Sequence, residues 1–272
     1  PLTLADGIYD ITAQATDRAG NGGLVSDPIS VTIDASPPSI GPASVERIAR
    51  PGENLTLNTT VSDNLSEVAV VTAIIADLPS NGQTQTLYLA DQGNGTYSSG
   101  LVIDANASEG LKTLTLIATD HAGNTITVPD GQGIVIDGTA PVVTPLPLTV
   151  NNPNNVVLDN TTLYFGPNAS GNLIVSVEAS DDHILIATAG LDTVTFPALF
   201  DKGQKIQDAA GATTATTYDR SYTIGSNQAT ESFTVEAIDL AGHGPTVSAP
   251  FEITTDDQAP AFSTVRITSP HP

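Results

Sequence analysis

The sequence predicts an all-β protein made of tandem antiparallel β-sandwiches, and three observations lead to this fold class. Hydrophobic residues make up 39% of the chain and aromatic residues only 4%, with Thr, Val and Ile prominent, which is typical of strands. Short apolar runs with a period of two recur between turn signals. The phrase Asp-x-Ala-Gly-(Asn/His) begins at three positions, Asp17, Asp120 and Asp239.

The repeated phrase predicts the domain count. Each copy is followed by a second Asp 17 residues later and by a Pro 21 residues later. The second aspartates are Asp34, Asp137 and Asp256, and the prolines are Pro38, Pro141 and Pro260. Because a phrase kept at fixed spacing is an internal repeat, we expect two complete sandwiches flanked by two partial ones.

Residues 1–36 are predicted to be the C-terminal part of a sandwich. Tyr9, Ile11, Ala13 and Ala15 alternate with polar neighbours, which indicates a half-buried strand. A second alternating run covers residues 29–33, and the short Gly-containing turn before it predicts a hairpin. About 35 residues cannot bury a core unaided, so we expect the front of this sandwich to lie in preceding sequence or in another chain.

Residues 37–138 are predicted to form a complete sandwich. Apolar runs separated by turn signals predict seven short strands, near residues 44–48, 55–61, 68–76, 87–89, 101–103, 114–118 and 134–136. This spacing is typical of a two-sheet sandwich.

Residues 139–257 are predicted to form a second complete sandwich with a long leading segment. Asp181 corresponds to Asp63, because it lies 58 residues before Asp239 where Asp63 lies 57 before Asp120. The extra length of this copy therefore falls at its front, in the Asn- and Pro-rich residues 145–167. An apolar stretch at 196–200 has no assigned role, and residues 258–272 are predicted to begin a further sandwich.

Charge and composition exclude several classes of partner. Thirty acidic residues against eight basic ones give a formal charge of -22, which repels nucleic acids and anionic lipid surfaces and favours cations. The chain contains no Cys, so neither disulfides nor thiolate metal sites can form. No apolar run reaches the roughly 18 residues that a membrane helix needs, so we expect no membrane insertion of this segment.

The repeat also carries a family resemblance. The stretches "DGIYDITAQATDRAGN", "GLKTLTLIATDHAGN" and "FTVEAIDLAGH", with "VTIDASPP", "IVIDGTAP" and "FEITTDDQAP" after them, resemble tandem bacterial Ig-like repeats. Such repeats occur in large cell-surface and extracellular proteins, including adhesins, S-layer-associated proteins and appendages of secreted enzymes. The resemblance implies Ig-like sandwiches in an extended array and an extracellular location. His243, in place of Asn, departs from the pattern.

Ig-like topology would place the two aspartates of one copy at opposite ends of a sandwich. The strand between them advances about 3.3 Å per residue and would cross the whole domain. The turn Asp of one copy should then face the second Asp of the preceding copy. This predicts two clusters, Asp34 with Asp63 and Asp120, and Asp137 with Asp181 and Asp239, with Asp182 as a further candidate. Asp17 and Asp256 would be halves of joints with other domains.

Three clustered carboxylates repel one another unless they are protonated or bridged by a cation. Calcium, which takes six to eight oxygen ligands, is the natural bridging ion, and calcium between domains is also what the resemblance implies. The alternative is that the same residues only build turns, since Asp caps its own backbone and Gly and Asn tolerate positive φ. The Asp…Pro segment would then be a stiff linker. Both readings remain open at the level of sequence.

Asn-x-Ser/Thr sequons predict surface loops that a glycosylating source organism could modify. Polar loop composition is the alternative explanation. The seven sequon asparagines are Asn54, Asn58, Asn64, Asn94, Asn106, Asn160 and Asn168.

Catalysis finds little support in the sequence, so we expect no enzyme activity. His121, His183, His243 and His271 are isolated and lack the spacing of a zinc site or of a Ser-His-Asp triad. The trio Asp181, Asp182 and His183 could bind a metal or act as acid and base, but a polar strand turn is the preferred explanation.

The predicted function is structural, as a stalk segment of a larger cell-surface or extracellular protein in an adhesin, a surface layer or a filament. Its expected partners are neighbouring Ig-like domains and copies of itself. The alternatives are a non-catalytic accessory module of a secreted hydrolase and a glycan-binding module. A glycan would bind a sandwich face or the region 196–222, although the absence of Trp leaves few stacking surfaces.

Overall fold

A computed structural model describes residues 4–78, 83–181, 189–200, 202–225, 229–258 and 261. The chain is all-β, and no helix occurs in these residues. It separates into two units, residues 1–138 and 139–272. The division of the chain into two complete and two partial sandwiches stays a prediction.

Some predicted features lie outside the described residues. These are Asp182, His183, Pro260 and His271, together with nearly all of the further sandwich predicted at 258–272. Within the described part of the chain, no helix is long and apolar enough to cross a membrane.

The first unit begins with the predicted hairpin. Strands β1 (Gly7–Ile11) and β2 (Ile29–Ile33) pair antiparallel, with Gly7 opposite Ile33. The expected half-burial of this run is wrong beyond Tyr9, since Tyr9 is half-buried but Ile11, Ala13 and Ala15 are exposed. The reason is that β1 and β2 form a two-stranded sheet on which, among the described residues, no second layer packs.

Eight further strands form the first sandwich: β3 (Ser39–Ile40), β4 (Ile48–Ala49), β5 (Asn54–Ser62), β6 (Val68–Ala76), β7 (Thr84–Asp91), β8 (Thr96–Val102), β9 (Gly110–Asp120) and β10 (Thr125–Ile136). One layer holds β3, β5 and β8, and the other holds β6, β9, β10 and β4, while β7 pairs with both β6 and β8. The single strand expected near residues 44–48 is instead two short strands, between which Ser44 bridges to Asn58.

Alternation of apolar residues builds the core of this sandwich. In β5 the side chains of Leu55, Leu57 and Val61 point inward, and in β9 those of Leu114 and Leu116 do the same. Each strand thereby buries one face against the opposite layer.

Strands β9 and β10 set the positions of the paired aspartates. Thr119 lies opposite Thr125 at one end of this antiparallel pair, and Gly110 lies opposite Ile136 at the other. Asp120 ends β9 and Asp137 follows β10, so the two lie at opposite ends of the sandwich. This is the arrangement that the 17-residue spacing predicts.

The described residues of the second unit contain ten strands: β11 (Val142–Pro145), β12 (Thr149–Asp159), β13 (Thr162–Ser180), β14 (Leu191–Phe196), β15 (Lys205–Ala212), β16 (Thr216–Thr223), β17 (Glu231–Phe233), β18 (Glu236–Asp239), β19 (Thr246–Val247) and β20 (Phe251–Thr255). One layer runs β11-β13-β20-β17 with β12 and β16 also paired to β13, and the other runs β15-β14-β18-β19.

The long leading segment of this unit forms an inserted hairpin. Strand β12 folds back on the front of β13, with Val157 opposite Tyr164. The front of β13 also pairs in parallel with β20, from Thr162 opposite Glu252, as β4 pairs in parallel with β10 in the first unit. Among the described residues of the first sandwich no strand corresponds to β12, so the extra length of this copy contributes an added strand.

The apolar stretch at 196–200 belongs to the core of the second unit. Phe196 and Leu199 are buried, and so is Tyr222, whose hydroxyl donates to the Pro197 carbonyl at 2.8 Å. Burial raises the pKa of Tyr222 to about 12, although the nearby Arg220 guanidinium acts in the opposite direction. The aromatic side chains Phe196 and Tyr222 therefore offer no exposed platform for a glycan.

Candidate metal centre

The three copies of the repeated phrase fold into the same turn. In each copy the Asp carboxylate accepts the backbone N–H of the residue four positions later, at 2.9, 2.8 and 2.8 Å. Its second oxygen contacts the side chain of that same residue. The pairs are Asp17 with Asn21 at 2.9 Å, Asp120 with Asn124 at 2.8 Å and Asp239 with His243 at 2.9 Å.

The glycine of the phrase is required by its backbone conformation. Gly20, Gly123 and Gly242 have φ values of 88°, 93° and 86°, in the left-handed region that favours glycine. His243 replaces Asn in the third copy without changing the turn, because its Nδ1 occupies the role of the Asn side-chain amide. The repeated phrase is therefore a self-contained turn in all copies.

In the first unit, three acidic side chains from separate segments meet. Asp34 follows β2, Asp63 follows β5 and Asp120 ends β9. One carboxylate oxygen from each lies within 4.8 Å of the others, and we call these residues the acidic triad. The sequence predicts this grouping, including the pairing of Asp120 with Asp34 instead of Asp137.

Asp63 contributes to the acidic triad from a tight turn. Its Oδ1 accepts the backbone N–H groups of Leu65 and Ser66 at 3.0 and 2.9 Å. Its Oδ2 is buried and accepts no hydrogen bond within the described part of the chain. Turn formation therefore uses only one of the two oxygens, and the other one remains available to a ligand.

Asp34 is held against the first sandwich by Ser66 and makes a local turn with Ser36. Its Oδ2 accepts the Ser66 hydroxyl at 2.6 Å, and its Oδ1 accepts the Ser36 backbone N–H at 3.1 Å. Ser66 in turn accepts the backbone N–H of Ala122 at 3.3 Å. Ser66 thus connects the hairpin exit, the Asp63 turn and the repeated turn.

Asn124 joins the repeated turn to the linker that follows β2. Its side-chain amide donates to Asp120 Oδ2 at 2.8 Å, and it also lies 3.2 Å from the Asp34 carbonyl and 3.4 Å from the Ser36 carbonyl. The sequence marks Asn124 only as a turn residue, and it gives no signal for Ser66. Both residues depend on the tertiary contact between the hairpin exit and the sandwich.

The same hydrogen bonds control the ionisation of Asp120. Burial acts to raise the pKa of this carboxyl, but hydrogen bonds from the Asn124 side chain and from backbone N–H groups outweigh it, so the pKa is lowered. The pKa of the exposed Asp17 is also lowered, chiefly by the Asn21 side chain. Asp120 is therefore ionised at neutral pH although it is buried.

The chemistry of the acidic triad fits a hard cation such as calcium. Calcium prefers carboxylate and carbonyl oxygens at about 2.3–2.6 Å, and the triad offers three carboxylates with neighbouring carbonyls of Asp34 and Ser36. The buried Oδ2 of Asp63 is a further sign, since a buried polar oxygen without a hydrogen-bond donor is costly unless another partner, such as a cation, contacts it.

The residues of the second predicted cluster belong to different units. Asp137 ends the first unit, and Asp181 and Asp239 lie in the second. Asp137 and Asp181 are fully buried, and Asp239 is almost so. This cluster stays a prediction. Asp256, predicted to be half of a further joint, is exposed and accepts the Gln258 backbone N–H at 3.3 Å.

Six of the seven sequon asparagines are exposed. The exception is Asn58, which is half-buried within β5. Glycosylation of these residues stays a prediction. The exposed ones are Asn54, Asn64, Asn94, Asn106, Asn160 and Asn168.

Comparison with known proteins finds no protein-family model that matches the sequence and no curated protein that matches it. Among solved structures, the chain is similar to fibronectin(III)-like modules of Clostridium thermocellum CbhA, at 14% identity over 81% of this chain and 94% of that chain, with a TM-score of 0.36. It is also similar to chicken CNTN1 FN1-FN3 domains, at 16% identity over 91% of this chain and 75% of that chain, with a TM-score of 0.37.

A third similar structure is a tetra-tandem repeat in the extending region of a large adhesion protein, at 19% identity and a TM-score of 0.35. The match covers 92% of this chain and 56% of that chain, so this chain spans little more than half of its length. Identities and TM-scores of this size do not assign a family. The Ig-like sandwich follows instead from the strand pairing described above.

Proposed function

We propose that this chain is a structural segment of a larger cell-surface or extracellular protein, in which Ig-like sandwiches follow one another in tandem. In this proposal, calcium held by the acidic triad fixes the hairpin exit to the first sandwich. The main support for this proposal is that Asp34 meets Asp63 and Asp120. Asp34 follows the hairpin and precedes the linker to β3, whereas the other two aspartates belong to the sandwich, so an ion bound by all three would connect the hairpin to the sandwich.

In this proposal the segment acts mechanically, by limiting how far the hairpin and the first sandwich can bend relative to each other. Between Asp34 and β3 the chain has only four residues, two of them prolines, so the linker is short and its φ angles are restricted. Asp34 would ligate the ion from the hairpin side, and Asp63 and Asp120 from the sandwich side. A shared ion would then act as a cross-link that resists bending at this joint.

Hydrogen exchange tests this role at single residues. We expect calcium to slow amide exchange at Ser36, Leu65 and Ser66 by about tenfold relative to EDTA, because these N–H groups donate to the ligating carboxylates. Mass spectrometry of overlapping peptides from the intact chain would measure the rates.

The turn at Asp91 is the matched control. Its Oδ1 accepts the Gly93 N–H at 2.8 Å, but Asp91 does not belong to the acidic triad. Exchange at Gly93 should be the same in calcium and in EDTA. Unchanged exchange at Ser36 and Ser66 would contradict the proposal.

A further inference from the structure

The inserted hairpin of the second unit forms one side of a surface cleft, lined by residues other than those of the acidic triad. Two adjoining hollows, each of about 390 Å³, lie between β12, the front of β13 and the residues after β20. We call them together the hairpin cleft. The residues that matter here are Asn155, Val157, Tyr164, Gly166, Asp256 and Asp257. The volume falls within the range of about 300–1,000 Å³ typical of small-molecule sites.

One wall of the hairpin cleft is apolar and flat. Val157 and Tyr164 lie directly opposite each other in the β12–β13 pair, so their side chains share one face of the sheet. Val157 is 66% exposed and Tyr164 is 37% exposed. Phe165, which also contacts the cleft, is buried. An exposed aromatic ring beside a branched aliphatic side chain is a surface on which the C–H face of a sugar ring can stack.

The other wall carries hydrogen-bonding groups. The Asp256 backbone N–H donates to the Phe165 carbonyl at 2.9 Å, which fixes this segment to β13. Asp257 accepts the Gln258 side-chain amide at 2.8 Å, and the Asn155 amide donates to the Pro167 carbonyl at 3.0 Å. These contacts leave carboxylate and amide oxygens beside the apolar wall.

Gly166 keeps the space between the walls open. A side chain built there would meet the Asp256 carbonyl at 3.4 Å and Asn155 at 3.8 Å, which is ordinary van der Waals contact. The backbone at Gly166 is not in the left-handed region, so a larger residue would fill the cleft without backbone strain.

We propose that the hairpin cleft binds a neutral oligosaccharide. A sugar presents both an apolar ring face and hydroxyl groups, which matches the two walls. Among the described residues that line the cleft, none is Lys, Arg or His, so an anionic ligand would lack a counter-charge.

Calorimetric titration of the intact chain with cellohexaose, hexa-N-acetylchitohexaose and mannohexaose tests this proposal, with hexagalacturonate as the anionic comparison. We expect at least one of the neutral sugars to bind, equally well in calcium and in EDTA. Tyr164→Ala and Gly166→Leu should each weaken that binding by about tenfold or more, the first by removing the stacking surface and the second by filling the cleft.

The first unit supplies matched controls. Tyr88→Ala removes a more exposed tyrosine from β7, and Gly100→Leu adds a side chain at a strand glycine with open space around it. Neither should change the affinity. The proposal is overturned if none of the three neutral sugars binds, if hexagalacturonate binds better, or if Gly166→Leu binds as the unmodified chain does.

Discussion

Removal of calcium by EDTA is expected to lower the melting temperature of the first unit by roughly 10 °C or more. A ligand present at about 100 times its dissociation constant stabilises the folded state by about 2.7 kcal/mol. For a domain of about 100 residues, each kcal/mol shifts the melting temperature by about 4–8 °C. Differential scanning calorimetry of the intact chain in calcium and in EDTA measures this shift.

Asp63→Asn assigns the calcium effect to the acidic triad. Asparagine can still accept the Leu65 and Ser66 N–H groups, so the turn should be retained while the buried oxygen Oδ2 is lost. This variant should melt at the same temperature in calcium and in EDTA. Asp91→Asn, in an exposed turn of the same unit, should respond to calcium as the unmodified chain does. Equal melting of the unmodified chain in both buffers would contradict the prediction.

Acid should weaken the same joint. The pKa of Asp120 is lowered in the folded chain. The ionised Asp120 carboxylate therefore contributes its full stabilisation at pH values above the pKa that Asp120 has in the unfolded chain. This stabilisation is lost as the pH falls through the lower folded pKa, where Asp120 takes up a proton.

Asn124→Ala is expected to lower the melting temperature by roughly 5–10 °C even in EDTA. The substitution removes the amide that donates to Asp120 and to the Asp34 and Ser36 carbonyls. The buried Asp120 carboxylate then loses its side-chain partner, and removing the partner of a buried charged group is costly. Thermal unfolding followed by circular dichroism would measure the change.

The first copy of the repeat provides the control. Asn21 makes the same bond to Asp17 at 2.9 Å, but that turn is exposed and water can replace the lost amide. Asn21→Ala should shift the melting temperature by about 1 °C or less. Equal effects of the two substitutions would mean that the turn alone, and not its contact with the linker, accounts for the stability.

Periodicity and spacing predict much of this structure. Alternating residues mark β5, β6 and β9, because a strand with one buried face must alternate. The 17-residue interval places Asp120 and Asp137 at opposite ends of the sandwich, because an extended strand has nearly fixed length per residue. The grouping of the acidic triad then follows from Ig-like topology.

The remaining features depend on tertiary contacts that periodicity does not encode. Residues 145–167 contain Asn and Pro in place of clean alternation, and the structure accommodates them as strand irregularities with positive φ at Asn152 and Asn155. In the sequence, nothing distinguishes Ser66 from other surface serines, and only the folded chain shows that its hydroxyl donates to Asp34. The sequence around Tyr222 does not show that this side chain is buried and so cannot stack against a sugar ring.

Calcium titration of the unmodified chain and of Asp63→Asn is the measurement that tests the central claim most directly. The unmodified chain should bind one more calcium ion than the variant, with a dissociation constant of about 10⁻⁴ M or tighter. Equal stoichiometry and affinity in the two proteins would show that the acidic triad holds no ion, and its residues would then be turn residues alone.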